Sequence, residues 1–540
     1  MNLQQNDHFM QVPRADVRRS KFSRNNQHLT TFSAAKLIPI YFQEVLPGDT
    51  VKMSMNCIIR GATPLHPVMD NAYADVHWFF VPARLTWEHW KNFMGESEDA
   101  WTSNIDYSIP VSTEGVSIGS IGDYLGIPVG VDLELNALPF RAYQLIWNEW
   151  YRDEALQDPE LVLTGDNAGS SSIYSRRPFP VNKYKDYFTS ALPAPQKGEP
   201  VNIALGNYAP VLTRSDLTDA SSSSPGLRLL TDSIIQPQYL AVGNGTGSTY
   251  NDVFMTSEGG SITSGDIGGK VIPVNLWTDL QNASTIDVNT LRTAFAIQRM
   301  LETDARSGTR YRELVKAHFG VDVGDARVQV PEYLGGKHIP INISQVVQQS
   351  SVDTQPTPLG TTGAFSKTFD ADFYFEKSFV EHGFLFGFVS VRTDHTYQQG
   401  LERYWSKRDR YDFYWPELAN IGEQPVYKKE LYALNAYDED DSVFGYQEAW
   451  ADYRYALNRV TGNMRSSATD SYDVWHYADD YESRPYLNSA WIQETTANID
   501  RTLVVPDSDV DDQYIAQFYF MSDWTRPMPI FSIPGVGGRM

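Results

Sequence analysis

The sequence predicts a mainly β fold, a sandwich or jelly roll whose strands are separated by very large insertions carrying short helices. Three observations predict it. Val51, Met53, Met55, Cys57 and Ile59 alternate with Lys52, Ser54 and Asn56, the period-two pattern of a strand with one buried face. In the following segment, 73–81, Val76, Trp78 and Phe80 alternate with His77, Phe79 and Val81, so both of its faces are apolar and both are expected to be covered. The next segments of comparable strand character lie far downstream, at 371–375, 383–391 and 514–521. A sheet assembled from such distant parts is non-local, and the chain between them must be carried as insertions.

In chain order, residues 1–35 form a basic, core-poor arm. Arg14, Arg18, Arg19, Lys21 and Arg24 stand there against only Asp7 and Asp16, amid Asn, Gln and Ser. Such a run is either a solvated terminus or a nucleic-acid contact driven by counterion release, and these five cations are the candidate nucleic-acid-binding residues.

Residues 36–199 hold the first part of the sandwich. Leu46-Pro47-Gly48-Asp49 supplies the turn before the first strand. Leu85, Trp87, Trp90 and Phe93 or Met94 fall at mixed spacings that read as a short helix or a helical turn, and Tyr143, Ile146, Trp147 and Trp150 mark a longer helix over 140–156. The Gly, Ser and Ile-rich stretch 111–131 between them reads as loop.

At Pro193, Pro195 and Pro200 the texture changes to a polar region of short strands and few charges, with Ser221 to Ser224 and Gly243-Asn244-Gly245-Thr246-Gly247. It still holds Leu229, Leu230, Ile234, Ile235, Tyr239 and Leu240 to bury. A structureless loop of this length is uncommon, so 200–285 is read as an inserted excursion that protrudes.

Residues 286–540 contain a helical hairpin, the remaining strands and interface loops. Leu291, Ala294, Phe295, Ile297 and Leu301 give one amphipathic helix. Thr309 can cap a second that ends at Gly320. Residues 331–343 are extended and 348–363 form a Pro, Thr and Gly loop. The segment 397–486 is dense in Tyr, Trp, Asp and Arg, as at Tyr404-Trp405 and Trp475-His476-Tyr477, which suits either an interface or an irregular core.

Composition excludes several classes. With 44 Lys and Arg against 67 Asp and Glu, the formal charge is −23, which opposes nucleic-acid binding by the whole surface and leaves it only to a local patch. The single cysteine, Cys57, cannot form an internal disulfide and sits in the apolar register of its strand. No apolar run follows Met1 and no window reaches the roughly 18 apolar residues of a membrane helix, so cytosolic synthesis without membrane insertion is expected.

No catalytic signature survives its context. HExxH is missing, and the glycines at 265–271 are misplaced for a phosphate loop, with Val271 where Ser or Thr must hold magnesium. The ten histidines lack paired metal spacing, and the acidic runs 438–441 and 507–512 lack the spacing of a calcium loop. No cofactor and no metal are expected. Carboxylates with Trp and Tyr platforms leave open a second reading, a β-sandwich carbohydrate-binding protein or glycoside hydrolase, in which no carboxylate pair can be selected.

Several segments carry a family resemblance. LPGDT at 46–50, PVMDN at 67–71, FFVP at 79–82, KDYFTSALPAPQKG at 185–198 and DARSGTRYRELVKAHFG at 304–320 are ordered along the chain. PEYLGG at 331–336, GYQEAWADYRYALNRVT at 445–461 and PMPIFSIPG at 527–535 continue them. Together they resemble the major capsid protein of the microviruses, small tailless single-stranded DNA bacteriophages, in their gokushovirus branch. The resemblance implies an eight-stranded jelly roll and a structural, non-enzymatic protein. It implies many copies forming an icosahedral shell, through pentameric intermediates and with scaffolding or other capsid proteins, around circular single-stranded DNA. The shell would be assembled in the host cytoplasm. Residues 200–285 fall where the branch carries a threefold protrusion that meets a host-surface receptor, and RSKFSR at 19–24 resembles the family's arm, which can face the packaged DNA.

Overall fold

The computed structural model describes residues 17–96, 107–168, 172–199, 201, 288–307, 310–321, 329–350, 359–434, 442–504 and 512–531, together with short strand segments between 211 and 278. The chain divides into two compact units, Gly198–Glu302 and the remainder.

In the larger unit the long strands are β1 (Asn26–Phe32), β2 (Ile38–Val45), β3 (Thr50–Gly61), β4 (Ala72–Pro82), β5 (Glu332–Pro340), β6 (Thr368–Ser378), β7 (Gly383–Thr393) and β8 (Tyr514–Arg526). One sheet has the order β1-β8-β3-β6, and the short strand Ser20–Ser23 continues the β1 edge along β8. The other has the order β5-β4-β7-β2. All of these pairings are antiparallel.

The two sheets pack face to face through the residues that the alternation points inward. Val51, Met53, Met55, Cys57 and Ile59 are all buried, and burial pushes the Cys57 thiol up to about 12. Trp78 of β4 stacks on Phe373 of β6 at 5.8 Å and meets Phe520 of β8 edge-on at 5.7 Å. The sheet edges are tied across the sandwich. Lys337 pairs with Asp370 at 2.6 Å and Lys377 with Glu332 at one edge, and His28 Nδ1–H donates to the Ile40 carbonyl at 2.8 Å at the other.

The second face of the β4 and β7 sheet is covered as well. Phe79, Val81, Phe384, Phe386 and Phe388 join a second core with α1 (Leu138–Ile146), which runs on as a π turn through Trp147–Tyr151. Tyr143 fixes this helix by donating to the Leu37 carbonyl and accepting from the Phe179 N–H, both at 2.9 Å. A third core of Tyr187, Phe188, Tyr397, Val426, Leu431 and Phe444 holds the insertion between β7 and β8.

Helix α2 (Val288–Ser307) and helix α3 (Tyr311–Phe319) follow the excursion. Gly320 ends α3 in the left-handed region at φ +68°, where glycine carries no steric penalty. Arg310 anchors α3: its guanidinium meets Glu149 and Glu313 at 3.4 Å, contacts Glu154, and donates to the Asn148 carbonyl at 2.9 Å.

The structure corrects four expectations. The core-poor arm contains Ser20–Ser23 and Asn26–Phe32, which are strands, because hydrogen bonding to β8 supplies a backbone partner that the polar sequence does not advertise. Stretch 111–131 is not loop throughout: Val111–Gly115 pairs with Asp132–Asn136, and Ile121–Tyr124 is a helical turn capped by Ser120. Beside β5, Ile343–Val347 pairs with Thr362–Ser366 across the Pro, Thr and Gly loop. The N-cap position of α3 is Arg310; Thr309 lies outside the described residues.

In the smaller unit, Gly260–Ser261, Val253–Ser257, Ile234–Val242, Arg228–Thr231 and Ile272–Pro273 make one antiparallel sheet in that order, and Leu276–Thr278 pairs with Val211–Thr213.

Candidate nucleic-acid and assembly surfaces

Strand pairing positions the basic residues of the arm. Phe22 lies opposite Trp524 and packs against the core, so Lys21 and Ser23 point outward. Lys21 Nζ pairs with Asp523 at 2.7 Å on that outer face. Arg24 turns to the end of the sandwich, where its guanidinium lies 5.2 Å from the Trp524 ring centre and donates to Gln43 Oε1 at 2.6 Å. Arg18 and Arg19 are exposed just before the strand, and Arg14 lies outside the described residues.

A further cation belongs to this end and was missed from sequence. Arg526 covers the same Trp524 ring at 4.4 Å, and donates to the Glu44 carbonyl at 2.9 Å and to Asp49 at 3.1 Å. Asp49 is fully buried in the turn before β3. Burial raises its carboxyl above the ordinary range, against the Leu46 N–H and Arg526. Arg526 stands about 500 residues from the arm, so only the pairing of Ser20–Ser23 with β8 could reveal it.

From this end the outer face of the β1-β8-β3-β6 sheet runs outward. Its rows read from the register: Asp523, Lys52 and Glu376; Met521, Ser54 and Tyr374; Gln27, Tyr519 and Asn56; Leu29, Gln517, Ile58 and Phe369; Thr31, Ile515 and Arg60. Lys52 pairs with Glu376 at 3.0 Å. Leu29, Ile515, Tyr519, Phe369 and Tyr374 are exposed on it.

The aromatic segment 397–486 divides between core and surface. Tyr397, Val426, Leu431 and Phe444 are core, whereas Trp405 is 69% and Tyr411 74% exposed. The exposed rings are held in place: Arg410 stacks over Trp415 at 4.7 Å, and Lys407 lies over Tyr453 at 4.0 Å.

Several histidines take part in local hydrogen bonds. His338 Nδ1 meets Asp75 at 2.6 Å, within a network in which buried Asp75 also binds Arg392 and the Tyr184 hydroxyl. His77 contacts the Tyr151 hydroxyl at 2.7 Å, and burial lowers its pKa to about 4. No group of three or more His, Cys, Asp or Glu side chains poised for a metal ion occurs among the described residues. The acidic runs 438–441 and 507–511 fall outside them. Among the described residues no helix is long and apolar enough to cross a membrane.

These surfaces sit on a doubly packed β-sandwich with broad exposed faces. The capsid protein (F protein) family model matches residues 10–536, and the chain belongs to that family. It is similar to capsid protein VP1 of Chlamydia phage 1, 40% identical over 98% of this chain and 97% of that protein. It is likewise similar to capsid protein VP1 of Bdellovibrio phage phiMH2K, 40% identical over 98% of each chain, and of Spiroplasma virus 4, 38% identical over 96% of each. The chain is a phage major capsid protein of the gokushovirus type, and its place is the virion capsid.

Proposed function

We propose that many copies of the chain close into an icosahedral shell around circular single-stranded DNA, with a jelly roll as the wall. The observation that carries this reading is the strand order. Read along the chain, β1, β3, β6 and β8 fall in one sheet and β2, β4, β5 and β7 in the other, so every step except β4 to β5 changes sheet. That alternation, with the orders β1-β8-β3-β6 and β5-β4-β7-β2, suits the two interlocked Greek keys of a jelly roll. The role is structural rather than catalytic. Assembly proceeds through pentamers with scaffolding or other capsid proteins, and exposed rings such as Trp405 and Tyr411 suit contacts between copies.

In this reading Arg14, Arg18, Arg19, Lys21 and Arg24 meet the packaged strand, and residues 200–285, which fall within the compact unit Gly198–Glu302, form a surface protrusion that attaches to a host receptor. Sedimentation velocity followed by electron microscopy of the native species tests the shell. Closed particles or discrete pentamers are expected. A monomer that binds or cleaves a glycan would replace the shell by the carbohydrate reading.

A further inference from the structure

We infer that the outer face of the β1-β8-β3-β6 sheet is a binding surface for unpaired bases, on which Tyr519, Tyr374 and Phe369 stack nucleobases while neighbouring cations hold the phosphates. The inference rests on the reading that the arm meets packaged single-stranded DNA, and it extends the contact from the arm to the sheet that carries it.

A sheet with one face in the core ordinarily turns polar residues to water on the other. This face departs from that rule. Phe369 is 62%, Tyr374 58% and Tyr519 40% exposed. They lie in three consecutive rows, with Tyr519 in the row between those of Tyr374 and Phe369. Between β8 and β6 lies only β3, so the rings are about 10 Å apart across the sheet. β3 places the small polar Ser54 beside Tyr374 and Asn56 beside Tyr519, which leaves those ring faces accessible, and it places Ile58 beside Phe369, so that end of the face is apolar. Aromatic rings spaced along a cationic track bind single strands without base preference, because every base has a π face.

The charge points to the same occupant. The face and its approach carry Arg18, Arg19, Lys21, Lys52 and Arg60, in a chain with 44 cations against 67 carboxylates. Its carboxylates are Asp523, Glu376 and Asp372, with Asp512 at the far end accepting from Thr31. Asp523 and Glu376 are matched by Lys21 and Lys52 at 2.7 and 3.0 Å. Arg18, Arg19 and Arg60 have no ion-pair partner among the described residues and remain for phosphate. Ser20–Ser23 belongs to this sheet, so a strand held by the arm leads directly onto the face.

The test uses the full-length protein and a fluorescent oligothymidylate of about 16 nucleotides, followed by anisotropy across a salt series. Tyr519→Ala, Tyr374→Ala and Phe369→Ala are each expected to weaken binding by roughly five-fold or more, with the slope of log affinity against log salt unchanged. Tyr519→Phe keeps the ring and is expected to bind as the parent does. Photo-cross-linking of the parent protein to 5-iodouracil DNA is expected to label peptides of β8 or β6, a readout that needs no variant to fold.

Parent-like affinity in all three alanine variants, with cross-links confined to the arm, would overturn the sheet-face proposal and leave the arm reading standing. Failure of the parent protein to bind the oligonucleotide would overturn both. Alanine variants that bind DNA normally and no longer assemble would make the face a contact between copies and overturn the proposal.

Discussion

At His395 two buried carboxylates converge on one imidazole: Nδ1 lies 2.9 Å from Asp479 and Nε2 3.0 Å from Glu494. The side chain is only 2% exposed. Burial opposes the charged ring, but the two carboxylates outweigh it and raise its pKa to about 10. Asp479 is pulled the other way: burial would raise it, yet His395, Lys183 and the Asn498 amide hold it well below the usual carboxylate range. Lys183, seated over the Trp491 ring at 4.6 Å, supplies a second cation to the cluster.

The linkage has a definite sign. His395 is raised above its unfolded value near 6.5, so its contribution is complete below about pH 6.5 and is lost as pH rises through about 10. Asp479 is depressed, so its contribution is present above about pH 4 and is lost on acidification. His395→Gln is expected to cost about 3–5 kcal/mol near neutral pH, because it strands buried carboxylates. In urea titrations the gap between parent and variant should shrink between about pH 7 and 10; a gap that stays constant to pH 11 would show that the imidazole is neutral. Asp75→Ala makes a second case. It leaves Arg392 and the Tyr184 hydroxyl without their shared acceptor, and a loss of about 3–5 kcal/mol in the same titration is expected.

Among the elements, β7 shows why a strand buried on both faces must be small where it crosses its neighbour. A Cβ at Gly383 would stand 2.5 Å from the Phe80 ring and press on the Val81 carbonyl. Both belong to β4, whose own two faces are filled, so neither can move away. Gly383→Ala is therefore expected to cost about 1–3 kcal/mol by overpacking. Gly320→Ala, with open space around it and only a left-handed φ to resist, should cost no more than about 1 kcal/mol. Equal losses in chemical denaturation would contradict the close-approach argument.

The strands differ in how far their sequences announce them. β3 and β4 are legible because their inward residues are large and regularly spaced. β1 is not: Leu29 faces outward and is exposed, while only Phe32 is fully buried, so no alternation can be read. Its strand character comes from pairing with β8, some 490 residues away. The hairpin of Val111–Gly115 and Asp132–Asn136 is hidden likewise, because its residues are polar, half-buried or exposed.

For the whole molecule, the compact unit Gly198–Glu302 is separable in sequence from the sandwich strands, none of which lies inside it. Deleting part of 221–269 is expected to leave particles assembling while host attachment falls; loss of folding would assign the segment to the core instead. The arm gives the complementary prediction. Replacing Arg14, Arg18, Arg19, Lys21 and Arg24 by Gln should reduce packaged DNA and lower the salt slope of single-strand binding by roughly 0.7 for each lost phosphate contact. The exposed Arg18 and Arg19 should account for most of it, since Lys21 is engaged with Asp523 and Arg24 with Gln43 and Trp524. Unchanged packaging would remove the arm from the DNA contact.

The sequence by itself determined the β class, the buried register of β3, the double covering of β4, the presence of the aromatic helix α1, though the helical path ends at Tyr151 and not at the expected residue 156, and the capsid family. Each of these is written in local periodicity or in ordered motifs, which need no knowledge of distant neighbours. Tertiary structure alone decided that Ser20–Ser23 and Asn26–Phe32 of the basic arm are strands, that Arg526 and Asp49 share its end of the sandwich, and that His395 lies between Asp479 and Glu494. It also decided which face of the β1-β8-β3-β6 sheet stays open. These depend on partners 80 to 500 residues apart, and a backbone hydrogen bond or a buried charge pair leaves no periodic trace in either of the segments it joins.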